Sequence, residues 1–127
     1  MISDHSSLIP SPHPAVYMAH TIGDFEQLIL LALVRLGSDV YGVTIRREIE
    51  ERTSRVISPG ALYTALDRLE KRGFVSSRLG DPTPERGGKR KRLYTVRPAG
   101  ERALARIYES VRQMASGLAT RLRTAKG

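Results

Sequence analysis

The chain has 127 residues, 40% of them hydrophobic, and a formal net charge of +8, which suits one packed core and points to a polyanion partner. It contains no cysteine, which excludes a disulfide framework, a thiolate metal site and a cysteine nucleophile, and fits a reducing, cytoplasmic compartment. Residues 1–20 carry neither a basic n-region nor a continuous apolar run, and no stretch approaches the roughly 18 apolar residues of a membrane span, so neither a signal peptide nor a membrane partner is expected.

The charge is unevenly placed. Residues 1–40 hold one base, Arg35, against Asp4, Asp24, Glu26 and Asp39, so the remainder carries a net +11. The basic excess begins where a second helix is expected. Before it, residues 1–20 contain Pro10, Pro12 and Pro14, several serines and no period, and read as a flexible arm. All three histidines, His5, His13 and His20, lie in this arm at spacings that fit no helix face or ligand motif. No metal and no cofactor are expected.

A first helix is predicted over residues 24–36, stopping at Gly37. Phe25, Leu28, Ile29, Leu31, Ala32 and Leu33 make it apolar around most of its circumference, so it should be buried between the domain and something else. Ser38-Asp39 reads as a turn, followed by a second helix over residues 41–53 with Ile45 and Ile49 inward and Arg46, Arg47, Glu50 and Glu51 outward. Arg55-Val56-Ile57 is a short extended link.

The third helix carries the most information. In SPGALYTALDRLEKRGFV, residues 58–75, Ser58 can cap and Pro59 takes the first helical position. Gly73 marks the stop. Leu62, Ala65, Leu66 and Leu69 form one buried stripe, while Gly60, Tyr63, Thr64, Asp67, Arg68 and Lys71 face outward. That outer face begins small and hydroxylated and then turns basic.

After Gly73 the period shortens to that of strands, over residues 74–79 and 92–96, joined by GDPTPERGGKRK. Pro98 then opens a helix expected to run through residue 123. The expected fold is mainly α with a small β-hairpin, a winged helix-turn-helix plus one long C-terminal helix. Its divisions are an arm at 1–20, the winged domain at 21–97 and the C-terminal helix at 98–127.

In a helix-turn-helix the second helix of the pair enters the major groove with its N-terminal end toward the bases. Gly60 and Ala61 then permit close backbone approach, Tyr63 and Thr64 can bond phosphates or base edges, and Arg68 can do either. ERGGKRKR, residues 85–92, places five bases around a two-glycine turn, a shape suited to a phosphate backbone or minor groove. A solvated helix face and a solubilising loop are the plain alternatives, and the order of the two basic elements around one fold favours nucleic acid. A phosphate-loop reading of the glycines fails, because Thr83 and Arg90 stand where that motif needs glycine and a hydroxyl residue.

The run from YGVTIRREIEERT through ISPGALYTALDRLEKRGFVSSRLG to ERGGKRKRLYTVRPAGERAL resembles the PadR family of bacterial transcriptional regulators, over residues 22–104. The resemblance implies a repressor that binds double-stranded operator DNA as a homodimer. It places Ser58, Gly60, Tyr63 and Thr64 at the start of the recognition helix, Tyr41 near the DNA backbone, and Arg86 through Arg90 (Lys89 among them) in the wing. The chain departs from the family pattern by reading Tyr41-Gly42 where many members read Gly-Tyr. It also has Arg97 where a capping threonine commonly precedes Pro-Ala-Gly.

In the last helix Leu104, Ile107, Val111, Met114 and Leu118 step by 3, 4, 3, 4, a seam that wants a partner helix, widened by Tyr108, Ala115 and Leu122. A second copy of the chain is the expected partner, with packing back on the same chain as the alternative. The resemblance agrees, since the family dimerises through its C-terminal helices. It also implies a small aromatic effector near the dimer interface. Phe25, Tyr108 and Met114 are the residues placed to line such a space, and core packing accounts for them more simply.

An enzyme is not expected, because outside the arm there is no histidine to pair with a nucleophile. The rival reading is a winged-helix module that turns its basic face to an acidic protein. Single-stranded RNA is disfavoured by an aromatic content of 6% with no tryptophan.

Overall fold

The computed structural model describes residues 22–82 and 90–126, with the backbone alone for Pro82 and Arg90. Helix α1, Asp24–Leu36, buries Ile29, Leu30, Ala32 and Leu33 and ends at Gly37, where φ is 94°. The left-handed conformation there suits a residue without Cβ. Leu31 and Val34 remain exposed on the far side of α1.

Strand β1, Val40–Tyr41, follows the turn, and helix α2, Gly42–Thr53, starts directly after it. Ser54 closes α2 in the left-handed region, and the segment through Ile57 leads to α3, Pro59–Lys71. The turn between α2 and α3 is pinned from α2, since a carboxylate oxygen of Glu50 accepts the Ile57 amide at 2.9 Å. The stripe of α3 is as expected: Leu62, Ala65, Leu66 and Leu69 are buried. They meet Ile29, Leu30 and Leu33 of α1 and Ile45 and Ile49 of α2 in one core.

Gly73, at φ 80°, turns the chain into strand β2, Val75–Pro82, which pairs antiparallel with β3, Arg90–Val96. The sequence reading gave a two-stranded hairpin. Among the described residues the sheet has three strands in the order β1-β3-β2, with Val40 opposite Tyr94 and Ser77 opposite that same Tyr94 on the other side. Two residues are too short to show a strand period, and Asp39, held at φ 56° with its amide donating to Thr95 Oγ1 at 2.9 Å, delivers them to the sheet. Tyr41 accordingly belongs to β1 and caps α2 rather than opening it. The hairpin strands also run further toward the tip than expected, with an irregularity between Leu79 and Pro82 that accommodates the proline.

The C-terminal segment corrects a second expectation. Helix α4, Pro98–Ala115, stops short of residue 123, and a separate helix α5, Ala119–Lys126, follows. Gly117, at φ 82°, makes the break, and the Leu118 amide donates to the Ala115 carbonyl at 2.9 Å across it. Arg97 stands at the N-cap of α4 without a side-chain cap bond, in keeping with its departure from the family threonine. Ala103 and Leu104 join the core, which fixes the start of α4 to the domain. No helix among the described residues is long and apolar enough to cross a membrane.

Candidate nucleic-acid interface

The start of α3 is built by its cap. Ser58 Oγ accepts the Ala61 amide at 3.1 Å, and Pro59 behind it has no amide to leave unsatisfied. Ser58, Gly60, Ala61 and Thr64 are all exposed. A Cβ on Gly60 would meet nothing within 4 Å. The protein's own packing therefore does not require glycine there.

Beside this helix start runs a groove of about 500 Å³, lined by Gly60, Ala61, Thr64 and Arg68 of α3 and by Asp24 and Glu26 of α1. Arg68 is not uncommitted, since its Nη1 lies 4.0 Å from Oε2 of Glu26. Glu26 is buried, and its other oxygen accepts the Gly23 amide at 3.2 Å. Sequence periodicity gave no sign of this pair, because a carboxylate in an apolar stripe shows its partner only after the helices are packed.

Tyr63 is half exposed at 46% and leans on the chain rather than standing free. Its ring packs on Gly42, and its centroid lies 6.5 Å from that of Tyr94. Tyr94 is buried in the sheet, and burial first, then the nearby Tyr63, raises its hydroxyl above the ordinary phenol value. Tyr41 is 40% exposed at the edge of the sheet, with Nζ of Lys91 4.9 Å from its ring centroid.

The wing tip, with Arg86 and Lys89, lies outside the described residues; Arg90 begins β3, and its side chain is likewise outside them. The root of the hairpin is described, and it is tied to α3. Arg92 donates to Ser77 Oγ at 3.0 Å, and that hydroxyl donates to Glu70 of α3 at 2.7 Å. On the neighbouring strand Arg78 donates to Asp39 at 3.0 Å, and that bond raises the pKa of the guanidinium. Lys91, Arg92 and Glu70 were not among the expected site residues. The contacts of Arg92 with Glu70 through Ser77, and of Lys91 with Tyr41, join separate elements, where no spacing rule applies.

Residues 29–106 match the transcriptional regulator PadR-like family, more than half of the chain. The chain belongs to that family. A PadR family transcription regulator from Clostridium difficile has the same fold, with a TM-score of 0.63 at 24% identity over 79% of this chain and 99% of its own. A transcriptional regulator from Clostridium thermocellum is similar at a TM-score of 0.61 and 26% identity, over 87% of this chain and 97% of its own. An uncharacterised 37.1 kDa transposon protein of Streptomyces fradiae is 33% identical over 91 residues, which is 72% of this chain. This PadR-like chain spans only 24% of that relative's length.

Of the expected dimer seam, Leu104 is covered by the chain's own core and Ile107 is half buried against it. Tyr108, Val111, Met114, Leu118 and Leu122 are exposed. Val111, Met114, Ala115, Leu118 and Leu122 line one shallow groove of about 410 Å³ that crosses the break between α4 and α5. The apolar face thus survives the interruption of the helix. Of the three residues named for an effector, Phe25 lines the groove beside Gly60 and Met114 lines that of α4 and α5, while Tyr108 is exposed on α4.

Proposed function

We propose that this PadR-like regulator binds operator DNA sequence-specifically as a homodimer and acts as a repressor. The observation that carries the reading is the start of α3, where a serine cap, bare Gly60 and exposed Thr64 form a helix end with no bulk in front of it. A helix anchored by a buried stripe and presenting such an end is suited to a major groove. The charge supports it, since the basic excess lies almost wholly after residue 40 and is densest in the wing sequence.

The dimer is supported by the exposed apolar face of α4 and α5. Four large side chains, Val111, Met114, Leu118 and Leu122, on one surface are more than scattered exposure accounts for, and a second copy presents the same face in return. Two copies would set two recognition helices against a two-fold operator.

The test is selection of bound sequences from a random duplex pool, with the enriched duplex then titrated at several salt concentrations. Enrichment of a palindromic site with salt-dependent affinity is the expected result. No enrichment and no binding to any duplex would leave the basic face to an acidic protein.

A further inference from the structure

The first turn of α1 is acidic, and each of its two carboxylates meets an arginine of the helix-turn-helix. Asp24 Oδ2 lies 2.8 Å from Nη2 of Arg55, in the turn just ahead of Ser58. Glu26 pairs with Arg68 on the outer face of α3 at 4.0 Å. Asp24, Glu26, Gly60, Thr64 and Arg68 line one groove. The two negative charges therefore stand where a polyanion would approach the helix start, with two of the nearby cations already engaged.

Resting on the reading that α3 faces duplex DNA, we infer that Asp24 and Glu26 compete with phosphates for Arg55 and Arg68 and so hold down the affinity for every duplex. Asp24 and Arg55 are both exposed, and exposed ion pairs are weak and screened by salt. A phosphate can displace such a pair, but the lost pairing subtracts from what each arginine adds to binding. At the usual worth of an exposed pair the restraint at Arg55 is up to about fivefold. Phosphate contacts carry no sequence information, so the restraint falls on operator and random duplex alike.

Both acids also suit the positive end of α1, a role that does not involve the arginines. A double-mutant cycle separates the two. Full-length wild type, Asp24→Asn, Arg55→Ala and the double variant are titrated on random duplex and on the selected operator, and the same is done for Glu26→Gln with Arg68→Ala. Asp24→Asn is expected to raise affinity up to about fivefold per subunit on both duplexes. Arg55→Ala is expected to cost more affinity in the Asp24→Asn background than in wild type, because the arginine is then wholly available to phosphate. Asp24 is exposed, so its cycle stands even where Glu26→Gln loosens α1. Strictly additive effects, or an Asp24→Asn variant that binds no better, would overturn the inference while leaving the DNA reading intact. A wild type that binds no duplex would overturn both.

Discussion

The ring of Tyr63 lies on the bare Cα of Gly42, so closely that a methyl group there would sit 2.8 Å from Cε1 and Cζ of the tyrosine. This contact joins the first residue of α2 to the outer face of α3, and it gives the Tyr41-Gly42 order of this chain a physical meaning. Gly42→Ala must displace Tyr63, whose half-exposed ring can swing toward solvent. The expected loss of stability is small, about 1 kcal/mol or less, because overpacking is relieved at a flexible side chain and Ala favours the helix. DNA affinity should fall more clearly than the melting temperature. In a Tyr63→Ala background the same substitution should leave both almost unchanged, and a penalty that persists there would move the conflict elsewhere.

A second glycine has no such escape. Gly100 of α4 packs on the carbonyl of Phe74, which the Arg97 amide already holds at 2.9 Å. A Cβ at position 100 would run into that backbone oxygen rather than into the end of a side chain. Gly100→Ala is expected to destabilise by roughly 1–3 kcal/mol, despite the better helix propensity of alanine. Thermal unfolding checks it, and a variant as stable as wild type would show that α4 can shift its seat.

The contrast between these glycines marks what could be read from the sequence. The stripe of Leu62, Ala65, Leu66 and Leu69, the Ser58 cap and the turn at Gly73 follow from local rules, and all are present. Gly42 and Gly100 are required by residues 21 and 26 positions away, and a single sequence does not announce such contacts. Strand β1 was missed because two residues have no period. The break at Gly117 was missed because Val111, Met114, Leu118 and Leu122 keep a helical spacing through it. The Glu26–Arg68 and Arg92–Ser77–Glu70 links depend on packing of separate elements and lie beyond any spacing argument.

The dimer reading leads to a test on α4. Val111 is 60% exposed in the single chain, so a glutamate there has room in a monomer and would be tolerated with little change in its stability. In a dimer joined through this face, two like charges would lie in or beside an apolar interface, which is strongly unfavourable. Sedimentation of Val111→Glu should show monomer, with operator affinity sharply reduced. A variant that stays dimeric would place the interface away from α4.

The wing offers a quantitative test because its charge sets a slope. If Arg86 and Lys89 each neutralise a phosphate, a symmetric dimer makes four such contacts and releases about 0.9 counterion at each. Arg86→Ala combined with Lys89→Ala should then flatten the dependence of log affinity on log salt by roughly four units. Affinity should fall on every duplex alike, since phosphate contacts position the protein without reading sequence. A tip that enters the minor groove would add a larger loss at narrow, A·T-rich sites. The root of the wing is tied to α3 through Arg92, Ser77 and Glu70, so the double variant should leave α3 seated and the sequence preference unchanged. The measurement is a salt titration of wild type and double variant on operator and random duplex. An unchanged slope would mean that the ERGGKRKR hairpin stands clear of the DNA and serves as a solubilising loop.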